Sequence, residues 1–139
     1  QEVYDLQSVC DALISLHRSE GYGLGPAEAM YLGKPVIATN WSGNTEFMRQ
    51  DNSLPVNYEL VQIRKDVGVY KAGQTWAEPN VSHAAELMQQ LVRDSALYTK
   101  ISLAARQTMH EEFSPAVIGN RIQQRLRFIQ EQMMDSKPT

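Results

Sequence analysis

Cysteine is almost absent from this 139-residue chain: Cys10 stands alone, so no intramolecular disulfide can form, which fits a reducing cytoplasm. Strong charge of either sign is lacking too. The net charge is −3 and the pI is near 5.6, leaving no electrostatic footprint for nucleic acid or anionic lipid. No apolar run approaches bilayer length, and nothing at the N-terminus reads as a signal peptide. Asp-x-Asp and clustered His/Cys patterns, the usual marks of a metal site, are missing as well. What is present, 42% hydrophobic and 21% charged, is ordinary globular material sized for one domain. Cys10, in the apolar stretch Val9 to Ile14, reads as a packed small hydrophobe. The first residue is Gln1 rather than Met, and the chain starts abruptly in a helix, Glu2 to Ser8. The expectation is therefore a piece of a longer protein.

Asp11 to His17 reads as a short buried strand that enters a glycine-rich loop. Gly25-Pro26 opens a helix, with proline at the first helical position, and Gly33 closes it. Pro35 to Thr39 is a second buried strand. Asn40 to Gly43 form the next loop, and Asn44 caps a short helix to about Gln50. Ser53 to Tyr58 and Val67 to Tyr70 are weaker strand candidates. From Trp76 onward the pattern turns helical. One helix starts at Pro79 or Asn80 and runs through Leu91, one is capped by Ser95 and runs through Glu112, and one begins at Ser114-Pro115 and reaches Met133. Ile118, Ile122, Leu126, Ile129 and Met133 form an apolar stripe, read first as core packing and otherwise as an interface with another domain.

Strand, loop and helix in alternation predict an α/β fold with a parallel sheet. Right-handed crossovers then bring both loops to the carboxyl edge of the sheet, where such folds bind ligands. The few strands predict a partial sheet, its first strands lying upstream of residue 1.

The loop Ser19-Glu20-Gly21-Tyr22-Gly23-Leu24-Gly25-Pro26-Ala27-Glu28 carries the chemistry. Three alternating glycines permit close backbone approach to a ligand. The helix behind them aims free N–H groups and partial positive charge into the loop, which suits phosphate. Carboxylates repel phosphate, so Glu20 and Glu28 are better matched to hydroxyl groups on the same ligand. Hydroxyls, diphosphate and hydroxyls in sequence describe a nucleotide sugar. Taken singly, Glu28 can instead reach back to cap the helix and Glu20 can be a solvated loop residue. Two other phosphate motifs do not fit. Gly33-Lys34-Pro35 follows a helix rather than opening one and lacks the P-loop hydroxyl. The strand ending in Thr39-Asn40 lacks the acidic residue of a dinucleotide site, which disfavours a dehydrogenase.

Glu20 and Glu28, within Glu-Gly-Tyr-Gly-Leu-Gly-Pro-Ala-Glu-Ala-Met, resemble the paired-glutamate motif of the retaining glycosyltransferases of family 4, which have the GT-B fold. The similarity continues through Gly33-Lys34-Pro35-Val36-Ile37-Ala38-Thr39 and Gly43-Asn44-Thr45-Glu46, and reaches Glu112-Phe113-Ser114 in the helical tail. The resemblance implies that residues 1–139 are a partial C-terminal, Rossmann-like, donor-binding domain, with a helical C-terminal tail. It implies that Glu20 binds donor-sugar hydroxyls and acts in catalysis, and that Glu28 binds the ribose. Main-chain groups of Gly21, Tyr22, Gly23, Leu24 and Gly25 then face the sugar and phosphates. The implied chemistry is hexosyl transfer from a nucleotide-diphosphate sugar, with retention and no obligatory metal or other cofactor. The implied acceptor is a glycan or lipid-linked sugar of the lipopolysaccharide type, held by an N-terminal domain outside this chain, in a bacterial cytoplasm or at its membrane. A GT-B phosphorylase or sugar synthase, or a stand-alone nucleotide-binding module, are the alternatives.

The sequence departs from the family at two places. Leu16-His17 stands where many members have Pro-Ser, and His17 is either a ligand contact or a packed histidine. Ser42-Gly43, preceded by Trp41, stands where many have Gly-Gly, and Trp41 either stacks on ligand or packs. Arg18 and Lys34 read as surface charge, and His83 and His110 receive no function. An unpaired sheet edge and the terminal stripe predict self-association.

Overall fold

The computed structural model describes residues 2–135, as one parallel sheet with helices on both faces and a separate hairpin. Helix α1 (Glu2–Val9) leads into β1 (Leu13–Ser15), α2 (Leu24–Tyr31), β2 (Val36–Thr39), a single 3₁₀ turn (Gly43–Glu46) and β3 (Leu54–Val56). These three strands pair in parallel in the order β1-β2-β3, with Leu13 opposite Val36 and Ala38 opposite Pro55. The expected α/β fold with its parallel sheet is present. Then come the antiparallel pair β4 (Tyr58–Gln62) and β5 (Thr75–Pro79), and the helices α3 (Val81–Arg93), α4 (Ser95–Glu112) and α5 (Pro115–Asp135).

β2 is buried throughout, and its alternating side chains supply both cores. Val36 and Ala38 pack with Ala27, Ala29 and Met30 of α2, and with Ala105 and Met109 of α4. Ile37 packs on the other side with Leu54, Val56, and Ala84 and Leu91 of α3. A fully buried strand of this kind belongs between two helical layers. α2 ends in a Schellman arrangement: Gly33 N–H donates to Met30 O, Lys34 N–H donates to Ala29 O, and Gly33 has φ 74°.

Several expectations are corrected. α2 begins at Leu24, two residues early, so Pro26 is its third residue. The missing N–H costs nothing there, because the first intrahelical bond runs from Ala27 N–H to Gly23 O. Asn44 is not a cap but lies inside the 3₁₀ turn, which ends at Glu46, and Asp94 rather than Ser95 caps α4. Ser53 to Tyr58 divides between β3 and β4, while Val67 and Tyr70 form only an isolated bridge within the 63–74 connection. β5 occupies a segment read as the approach to a helix. The strand of residues 11–17 shortens to Leu13–Ser15 at the sheet edge, with Ile14 46% exposed. Cys10 is exposed rather than packed.

The stripe on α5 is not core either. Ile122, Leu126, Ile129 and Met133 are all exposed, Ile118 is half-buried, and none of the described side chains of α5 is buried.

Candidate functional site

Parallel pairing puts the loops that follow β1 and β2 at the same edge of the sheet, and two hydrogen bonds to one main-chain carbonyl join them. Glu20 O accepts from Ser42 Oγ at 2.5 Å and from Gly43 N–H at 3.4 Å. At Gly43 a Cβ would lie 1.9 Å from Gly21 O, so only glycine permits this approach. Ser42 is the only non-glycine with positive φ among the described residues, at φ 77° and ψ −153°. That conformation costs a side-chain-bearing residue about 1–3 kcal/mol. The Ser42 hydroxyl supplies the bond to Glu20 O.

Of the three alternating glycines, Gly23 alone is left-handed, with φ 87°, and it packs against Asn44 and Phe47. A Cβ at Gly21 or Gly25 would meet nothing within 4 Å. Gly23 caps α2, so the amides of Leu24 and Gly25 have no intrahelical partner and Pro26 has no N–H at all. Partial positive charge collects at this end.

Glu20 and Glu28 are each half-buried. Glu28 is the fifth residue of α2, past the third position from which a glutamate returns to the cap amide, so the capping alternative is excluded. Tyr22 is 40% exposed and its ring lies 5.1 Å from that of Phe47; burial pushes its hydroxyl above the ordinary pKa of 10.0. Leu24 is exposed and Gly21 lies at the surface.

His17 follows β1. Both its ring nitrogens are shielded from solvent and neither has a hydrogen-bond partner. Burial depresses its pKa below 6.5, opposed by the Glu20 carboxylate and by the Asn44 side chain, which favours the protonated ring although the two are not in hydrogen-bonding geometry. Asn44 is fully buried; its Nδ2 donates to Thr39 O at 2.9 Å and to Met48 Sδ at 3.3 Å. Asn44 Oδ1 and Thr39 Oγ1 have no partner. Ser42, Asn44 and Thr39 were not among the site residues read from sequence. The signal was the uninterrupted Gly43-Asn44-Thr45-Glu46 run.

The remaining candidates have structural partners. Trp41 packs on Tyr58 with ring centres 5.3 Å apart. Arg18 is not free surface charge: Nε and Nη2 grip both Glu78 carboxylate oxygens at 2.6 and 2.7 Å, and the guanidinium covers Trp76. The pair raises the Arg18 pKa and lowers that of Glu78, and Ala77 N–H donates to Arg18 O, so the hairpin is fastened to the first loop. His83 Nδ1 accepts from Asn57 N–H, and His110 stacks on Tyr31. Among the described residues, no three His, Cys, Asp or Glu are grouped to hold a metal, and no helix is long and apolar enough to cross a membrane.

Two half-buried carboxylates and a glycine-capped helix start lie at the carboxyl edge of the parallel sheet, the edge at which open α/β sheets bind ligands. The chain belongs to the glycosyl transferases group 1 family, whose model matches residues 1–108. It is 29% identical over 113 residues to the human alpha-1,3/1,6-mannosyltransferase ALG2, covering 81% of this chain and 22% of that protein. The mouse ALG2 protein is 25% identical over 115 residues, covering 83% and 23%. The chain thus spans about a fifth of the length of these relatives. Crystal structures of Anabaena Alr3699/HepE share the fold at 21% identity, covering 91% of this chain and 30% of theirs. The TM-score is 0.65 for the complex with UDP and glucose and 0.64 for that with UDP-glucose. The chain thus shares the fold of these structures.

Proposed function

We propose that this chain is the donor-binding part of a retaining, family 4 glycosyltransferase that moves a hexose from a nucleotide-diphosphate sugar to a glycan or lipid-linked acceptor. The observation that carries the reading is the placement of Glu20 and Glu28 on either side of the free amides of Leu24 and Gly25 in the chain, at the ligand-binding edge of the sheet. The amides suit the diphosphate. Glu20 holds the sugar hydroxyls and Glu28 the ribose, with the main chain of Gly21 to Gly25 along the phosphates. Hydrogen bonds to a carboxylate contribute about 1.5–3 kcal/mol each.

In the reaction, the bond from the anomeric carbon to the diphosphate breaks and one to an acceptor hydroxyl forms with the same configuration. The acceptor proton and the nucleoside diphosphate leave. Glu20 serves catalysis by holding the sugar, and the reading needs no metal. The mannosyl transfer named for ALG2 and the UDP-glucose bound by HepE support hexose and nucleotide sugar respectively. A bacterial, cytoplasmic setting in polysaccharide assembly, an acceptor domain beyond this chain, and self-association through the exposed stripe of α5 complete the proposal.

Calorimetric titration of UDP, GDP and ADP, with and without an attached hexose, tests it. One nucleotide should bind, more tightly with its sugar, and Glu28→Ala should weaken both forms. Absence of binding by every one of these compounds would overturn the donor-site assignment for this chain.

A further inference from the structure

We propose that His17 is a positioning residue, whose imidazole N–H donates to Asn44 Oδ1 and so locks the Glu20 loop to the loop after β2. The inference rests on the donor-site reading for its effect on ligands, though not for the contact itself.

The Asn44 amide has only one orientation open to it. Its two Nδ2 hydrogens are taken by Thr39 O and Met48 Sδ, and a flip would set oxygen against the Thr39 carbonyl. Oδ1 is therefore left as a fully buried acceptor without a donor. On the facing loop, His17 has two buried nitrogens, and its neutral ring carries one N–H in need of an acceptor. Each group lacks what the other offers, and the Asn44 side chain acts on the ring together with the Glu20 carboxylate.

Direct ligand contact by the ring nitrogens is disfavoured, since both are shielded from solvent. The bond instead adds to the tie that Glu20 O already makes with Ser42 Oγ and Gly43 N–H. Together they hold the segment 17–20 against 42–44, which fixes the Glu20 carboxylate relative to the start of α2. The other donor within the same group of unpartnered atoms is Thr39 Oγ1, and the test separates it.

The unliganded protein, labelled with nitrogen-15, is measured first. The His17 ring should show a single neutral tautomer with a slowly exchanging N–H. Two tautomers averaging rapidly, with no protected N–H, would overturn the proposal whether or not the protein binds nucleotide. Affinities for UDP and UDP-glucose are then compared in His17→Phe, His17→Asn and Thr39→Val. His17→Phe should reduce the gain in affinity conferred by the glucose about tenfold, the scale of one hydrogen bond, and leave UDP binding nearly unchanged. His17→Asn, which retains an N–H donor, should restore much of that gain. Equal loss in Phe and Asn variants, or a loss confined to Thr39→Val, would contradict the role of His17. Failure of UDP and UDP-glucose to bind the parent protein would overturn the donor-site reading instead, with the nitrogen-15 result still deciding the contact.

Discussion

Gly43 lies so close to Gly21 that a methyl group on its Cα would sit 1.9 Å from the Gly21 carbonyl oxygen. The neighbour is backbone and cannot swing away, so Gly43→Ala must separate the two loops. The expected cost is about 2–3 kcal/mol in urea unfolding, at the upper end for an overpacked site. Nucleotide-sugar binding should fall with it. A fully stable variant would show that the loops are held apart.

Ser42 combines a strained backbone with a useful hydroxyl, and two substitutions separate these effects. Ser42→Ala keeps the strain and loses the bond to Glu20 O, a loss of about 1 kcal/mol. Ser42→Gly loses the same bond but relieves about 1–3 kcal/mol of strain. The glycine variant should therefore be the more stable of the two by thermal unfolding. The reverse order would mean that the serine conformation carries no strain.

Asn52 is buried and braces the turn between β2 and β3 against α4. Its side chain donates to Phe47 O and Thr108 Oγ1 and accepts from Arg49 N–H. Arg49 in turn grips Glu112 and Thr108. Asn52→Ala removes the partner of Phe47 O and Arg49 N–H and leaves Thr108 Oγ1 only its bond from Arg49, so a loss of about 1–3 kcal/mol is expected in the same unfolding assay. Arg49→Ala should cost less, because its ion pair with Glu112 is exposed to solvent.

Acid should weaken the fold in two windows. His17 has a depressed pKa, so between 6.5 and its folded value the unfolded chain binds more protons and stability falls as pH falls. Glu20 and Asn44 partly offset the desolvation behind this, and neighbouring Arg18 is engaged by Glu78. Lower down, Glu78 and Glu112 hold pKa values below 4.5 through their arginine partners, and the stability they add is lost as pH drops through those values. His17→Phe should flatten the upper window and leave the lower one. A slope below pH 6.5 that persists in His17→Phe would assign it elsewhere.

The parallel sheet and the end of α2 were legible in the sequence for physical reasons that the structure shows. Val36 to Thr39 is an unbroken apolar strand because both faces are buried, and Gly33 is a glycine because the helix end needs φ 74°. The β4–β5 hairpin was not legible. Tyr58-Glu59-Leu60-Val61-Gln62 has no clean alternation, since it is exposed along much of its length, and its partner lies beyond the 63–74 connection. The stripe on α5 shows the limit of periodicity: spacing identifies one face of a helix but does not say what covers it. Asn44 misled because asparagine is a good cap, whereas here the Thr39 carbonyl and Met48 sulfur draw its amide inward. At Glu28, a two-residue shift in the start of α2 separates a capping position from one past it.

The division of labour between the two glutamates is the centre of the account, and paired titrations of UDP and UDP-glucose into Glu20→Gln and Glu28→Gln test it most directly. Glu28→Gln should weaken both ligands by a similar factor, about ten- to a hundredfold for one charged hydrogen bond. Glu20→Gln should leave UDP nearly unchanged and abolish the gain in affinity conferred by the glucose. If Glu20→Gln weakens UDP as much as UDP-glucose, or Glu28→Gln weakens neither, the assignment of sugar to Glu20 and ribose to Glu28 is wrong.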